Sequence, residues 1–181
     1  MTIADRDPYD YRNCLSLFGY ASAAHVRSGG ICALCGFGRG ELDFDAWRQL
    51  TVEHLIGESQ GGYKRDILMA LTSRFPLLEA GTLNDVASRL DALNTVTACS
   101  FCNSTTSRTM APTSMWEVIA AGPDDVESLV PVVGVAVEAA LARKLEDVKW
   151  KLASVRSAYD SKVAPRLRGV RAGAAEIGAH K

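Results

Sequence analysis

Two Cys-x-x-Cys pairs, Cys32/Cys35 and Cys99/Cys102, stand on either side of the tripeptide Val52-Glu53-His54, and the second pair runs directly into Asn103. Each pair offers two thiolates from one tight turn. Together they make a complete tetrahedral ligand set for one zinc ion, which would close the long loop between the clips. An ion held by four protein ligands has no open position and acts as a staple. The acid, the histidine and the carboxamide beside it are of another kind. They are the residue types of a hydrolytic site, in which one group takes a proton from water and others hold a cation.

The elements that must position these groups can be read from local pattern. Tyr11, Cys14, Leu15, Phe18 and Ala21 recur at helical spacing, which predicts a helix over 9–27 ending at Ser28-Gly29-Gly30. Trp47 to His54 ends in strand-like alternation, so Glu53 and His54 are expected on opposite faces. The turn-rich run Gly57-Glu-Ser-Gln-Gly61-Gly62 follows. Residues 65–75 and 83–93 read as helices, the second with Thr82 as N-cap and Asp85 three residues on. Asn94 to Ala98 reads as a short strand feeding the second clip.

Beyond Ser104 the chain reads as helical, broken near Gly122-Pro123, with a long helix from about Pro131 to Val163. Within it Leu141, Leu145, Val148, Leu152, Val155, Tyr159 and Val163 form a heptad-like stripe, suited to packing on the body of the protein or to pairing two chains. Pro165 and the Gly/Ala-rich stretch from Gly169 predict a frayed end.

Composition narrows the class. The chain has 181 residues, 48% of them hydrophobic, enough for a proper core. Its longest apolar stretch, Leu129 to Val137, contains Pro131 and Gly134 and is far short of the roughly 18 residues of a membrane span. The start, Met1-Thr-Ile-Ala-Asp-Arg-Asp7, lacks the basic and apolar pattern of a secretory signal, so a cytoplasmic protein with reduced thiols is expected. Five cysteines leave Cys14 over, most simply as a core thiol. The net charge of −1 hides an asymmetry: residues 141–181 hold ten Lys/Arg against four Asp/Glu, and the rest holds ten against seventeen. A basic carboxy-terminal helix is a surface that can follow phosphates, and equally an ordinary solvated face.

The residues from about Gly29 to Asn103 resemble the HNH (ββα-metal) nucleases of the four-cysteine zinc-binding type. The resemblance is carried by the glycine pair before the first clip and by the strand ending in acid-His. The run His54-Leu-Ile-Gly-Glu-Ser-Gln-Gly-Gly62 adds to it, with Gly57 where proline is usual, as does Asn94 five positions before Cys99. Cys99-Ser-Phe-Cys102-Asn103 completes the pattern. It implies an α+β fold: a small ββα-metal core with a structural four-cysteine zinc, an inserted helical segment, an N-terminal helix and a long C-terminal helical region. The corresponding division is a nuclease domain over 1–112, with the insertion at about 63–93, and a helical extension over 113–181.

The resemblance further implies that His54 is the general base, that Asn94 braces the loop carrying it, and that Glu53 and Asn103 ligate a catalytic divalent cation. Two oxygen ligands favour Mg2+ or Mn2+. Glu53 stands where aspartate is common, and Arg108 follows Asn103 in place of a nearer lysine; with Lys64 and Arg65 it is a candidate phosphate contact. The expected activity is hydrolysis of phosphodiester bonds in DNA, with RNA left open as substrate, no membrane partner, and a homodimer through the C-terminal helix as one option. The rival expectation is a non-catalytic zinc-stabilised nucleic-acid-binding or interaction module of the same fold. A redox or metal-sensing protein would account for the thiols and not for Glu53, His54 or Asn103.

Overall fold

The computed structural model describes residues 23–40 and 43–178. The sequence-predicted helix over 9–27, with Tyr11, Cys14, Leu15, Phe18 and Ala21, therefore lies outside the described residues except for its end, where 23–28 are helical. Gly29 and Gly30, both at positive φ, stop that helix and turn the chain into the first cysteine clip.

A short helix α1 (Phe44–Trp47), capped by the Asp43 carboxylate, precedes strand β1 (Leu50–His54). Helices α2 (Lys64–Arg74) and α3 (Ala80–Asn94) lead to β2 (Thr95–Cys99), and α4 (Ser100–Thr106) follows without a break. The two strands form one antiparallel sheet, Leu50 opposite Cys99 and His54 opposite Thr95. Helix α5 (Met115–Ala121) opens with a Ser114/Glu117 capping box. Helix α6 (Leu129–Ala158) then runs through a π-helical turn (Tyr159–Val163) into α7 (Ala164–Gly178).

Several boundaries differ from the sequence reading. Thr82 lies inside α3, whose N-cap is Glu79, because the start is set by Leu83 and Val86 entering the core and not by a polar cap. Asn94 closes α3 and does not open the strand. Residues 107–114 are largely non-helical, and Gln60 ties them to the loop after β1 by hydrogen bonds to both the N–H and the carbonyl of Ala111. The chain also stays helical past Pro165, to Gly178. Proline has no N–H and its ring crowds the carbonyl four residues back, and the helix widens into a π turn at 159–163 immediately ahead of it.

One apolar cluster joins Leu55, Ile67, Leu71, Val86, Leu90, Met115, Ile119, Leu129, Val133 and Val137, so residues on both sides of position 112 share a core. The face of α6 that enters it is Leu129, Val133, Val137, Ala140, Lys144 and Val148. Of the stripe read from sequence, Val148 is buried, Leu141 and Leu152 are half-buried, and Leu145, Val155, Tyr159 and Val163 are exposed. The buried face passes through Ala140 and Lys144, one position before Leu141 and Leu145 of the stripe, and residues 153–163 are all exposed, so the stripe has nothing to pack against there.

The loop after β1 is held from inside by Asn94, which is fully buried. Its Oδ1 accepts from Ile56 N–H at 2.8 Å, and its Nδ2 donates to the carbonyls of Ile56 at 2.9 Å and Gly62 at 2.8 Å. The chain comes so close here that a Cβ on Gly62 would lie 1.7 Å from the Ile56 oxygen. Asn94→Ala orphans one buried donor and two acceptors at ~1–3 kcal/mol for each group left unpaired. Urea unfolding is expected to show a loss of about 3 kcal/mol or more, and a loss below about 1 kcal/mol would mean that the loop holds itself.

Candidate functional site

The first clip is a tight turn laid on the sheet. Cys32 N–H donates to Phe37 O, Gly36 N–H to Cys32 O, and Ala33 N–H to Thr97 O of β2. Gly38, at φ 90°, passes so close to the Gly30 carbonyl that a Cβ would sit 2.4 Å from its oxygen. The second clip joins β2 to α4, with Cys99 as the N-cap and Cys102 in the first turn. The four sulfurs lie within 4.8 Å of one another, and those of Cys35 and Cys99 are 3.8 Å apart. A tetrahedral ion with metal–sulfur bonds of about 2.3 Å separates its ligands by about 3.8 Å, so the set can hold a metal ion.

Charge favours such an ion. The hydrogen bond from Cys99 pulls the Cys32 thiol down to about 4, while the same bond and burial push Cys99 up. Burial and a hydrogen bond with Cys35 raise Cys102. Crowding and burial thus oppose ionising these thiols together, and a bound cation offsets that opposition.

Glu53 and His54 leave β1 on opposite faces. Glu53 is 4% exposed, and its Oε1 accepts from the ammonium of Lys144 at 2.6 Å. Lys144, 2% exposed, also donates to Thr106 O at 2.9 Å at the end of α4. Burial pushes the Glu53 carboxyl up, against the downward pull of Lys144 and His54. Asn103, on α4, donates from Nδ2 to Thr51 Oγ1 at 2.9 Å and to Val52 O at 3.3 Å, so it is pinned to β1 beside Glu53. The two sequence-predicted ligands of a catalytic cation, Glu53 and Asn103, are thus both tied to β1. In this arrangement they do not fit a divalent ion, since a single positive charge already sits on the Glu53 carboxylate in a buried place.

His54, with a side chain 17% exposed, stacks on Tyr63 at 4.2 Å between ring centroids, and its Nε2 lies 3.6 Å from Asp91 Oδ1. Burial first, then Glu58 and Glu53, raise the Tyr63 hydroxyl above its ordinary range. Asp91 lines a cleft of about 250 Å³ together with Arg27, Lys64, Ser88 and Thr95. Arg27 reaches Thr95 Oγ1 at 3.2 Å and Ala92 O at 3.2 Å. Lys64 is thus at a cleft next to the histidine, whereas Arg65 turns toward Glu58 and Asp66 at 3.8 and 3.2 Å. Arg108 is exposed just beyond α4.

Sequence reasoning missed Tyr63, Asp91, Arg27 and Lys144. Asp91 and Tyr63 reach His54 only through folding of the segment between the strands. Lys144 had one legible signal, a lysine at a position where α6 otherwise presents Leu, Val and Ala. No protein-family model, curated protein or solved structure matches this chain.

Metal analysis is expected to find one tightly held ion per chain, lost with Cys99→Ser together with a lower melting temperature. An unchanged metal content in that variant would remove the four-sulfur site.

Proposed function

We propose that the chain is an HNH-type endonuclease that hydrolyses phosphodiester bonds in DNA, built on a structural zinc at Cys32, Cys35, Cys99 and Cys102. The observation that carries this reading is the setting of His54. It ends β1, which pairs with the strand on which the first cysteine clip is laid, it is partly open to solvent, and its ring lies between Tyr63 and Asp91. Imidazole exchanges protons near neutral pH, which suits it to take the proton of an attacking water. The Asp91 carboxylate, 3.6 Å away, would steady the imidazolium so formed. Asn94 keeps the loop from Ile56 to Gly62 in one place, which fixes the approach to His54.

The cleft that Asp91 lines carries Arg27 and Lys64, cations suited to a phosphate backbone. Arg156, Lys162, Arg166, Arg168 and Arg171 add positive charge along α6, the π turn and α7. The same stretch exposes Val155, Tyr159, Val163, Leu167 and Val170, an apolar stripe that supports pairing of two chains. Glu53, engaged with Lys144, is not free to hold Mg2+ or Mn2+.

One observation favours the second reading, a non-catalytic nucleic-acid-binding or interaction module. A buried acid neutralised by a buried lysine is as useful to a scaffold as to an enzyme.

Plasmid DNA incubated with the protein, without added metal and with Mg2+ or Mn2+, separates the two. Wild type is expected to nick or cut, and His54→Ala to lose at least a hundredfold in rate, in line with removal of a general base. Equal persistence of the DNA with both proteins under every condition would leave the scaffold. Truncation after Ala158 is expected to weaken DNA binding or self-association in sedimentation while leaving the melting temperature nearly unchanged. If neither DNA binding nor self-association changes, the arm has no part in either.

A further inference from the structure

The Lys144–Glu53 pair sits where two apolar clusters meet. On one side α6 buries Val133, Val137 and Ala140 against α3 and α5; on the other it places Val148 against Ala98, Cys99 and Cys102. Between them the ammonium is fixed by two oxygens from two elements, Glu53 Oε1 on β1 at 2.6 Å and Thr106 O at the end of α4 at 2.9 Å. One turn further on, Asp147 accepts from Thr109 Oγ1 at 2.5 Å and from Lys151 Nζ at 2.6 Å, and Lys151 also donates to Thr105 O. A seam of charged groups thus holds α6 along the end of α4. Lys144 has the position and the ligands of a bound cation, two oxygens inside a buried recess with Asn103 on the neighbouring helix.

We propose that Lys144 is the resident cation of the Glu53 site and closes it to divalent metal. A divalent ion at Glu53 would lie against an ammonium with little water between them, and like charges at such range repel strongly in a poorly screened interior. Withdrawing Lys144 requires lifting α6 from Thr106 and breaking the seam at Asp147 and Lys151. The closed state therefore belongs to the folded core, and added metal does not displace it. Replacing Lys144 with an apolar residue of similar length reverses the situation. Glu53 becomes a buried carboxylate without its cation, with the Thr106 carbonyl that Lys144 also held, and a small hard ion then has oxygen ligands to gain.

This inference rests on the same residues as the nuclease reading but fails separately from it, since it is read by metal binding. Mn2+ is titrated into zinc-loaded protein and followed by electron paramagnetic resonance, with melting temperature recorded alongside. Wild type and Glu53→Gln are expected to take up the same small amount of Mn2+ at millimolar metal. Lys144→Met is expected to bind one further Mn2+ per chain at least tenfold more tightly than wild type and to gain melting temperature with it, and Lys144→Met/Glu53→Gln is expected to lose both effects. One Mn2+ bound by wild type and abolished by Glu53→Gln would overturn the proposal, whether or not Lys144→Met folds. So would a folded Lys144→Met that binds no more Mn2+ than wild type. If the nuclease reading holds as well, cleavage is equal with and without Mg2+; if that reading fails, no DNA is cut and the Mn2+ titration still decides.

Discussion

A carboxylate and an ammonium cannot be buried separately, and Glu53 and Lys144, both nearly inaccessible, are buried together. Their pairing ties residue 53 of the small sheet to residue 144 of the longest helix, and the third member, the Thr106 carbonyl, brings in the end of α4. Removing either partner of such a pair leaves a charge in a dry place, a loss of ~3–5 kcal/mol. The position of α6 across the sheet and α4 follows from this constraint as much as from its apolar face. Burial raises the Glu53 carboxyl while Lys144 lowers it, and the contact between the two is 2.6 Å.

The four cysteines pose the same electrostatic problem with the other outcome. Crowded thiols resist ionising together, as the raised Cys99 and Cys102 show, and no ammonium approaches them among the described contacts. The sulfur geometry suits an external cation instead. The two sites lie on one small frame, since β1 carries Glu53 and β2 ends in Cys99, with α4 carrying Cys102 and Asn103. One site is arranged for a metal, and the other already contains its cation. β1 of this frame ends in His54, whose ring lies between Tyr63 and the Asp91 carboxylate.

Much of the candidate site was legible because its residues are chemically rare and closely spaced. The four cysteines had to converge if they bound one ion, and convergence fixed the ends of the intervening chain. Strand alternation correctly separated Glu53 from His54, since successive residues of a strand face opposite ways. The buried hydrogen bonds of Asn94 to Ile56 and Gly62 run over the loop that the Gly61-Gly62 pair marked. What escaped was set by distance along the chain. Asp91 belongs to a helix whose periodicity reports only on core packing, Tyr63 stands just ahead of another, and Thr82 failed as a cap because apolar burial decided where α3 begins.

The sequence by itself determined the ligand chemistry: four thiols in two clips, an acid beside a histidine, and one asparagine shortly before the second clip and another just after it. Those are covalent facts, and spacing carries them. Only the tertiary structure decided the charge state of the site. Lys144 reads as one more basic residue on a basic helix until α6 turns it inward, 91 positions from its partner. A buried ion pair depends on which faces meet, and no local pattern of residues encodes that meeting.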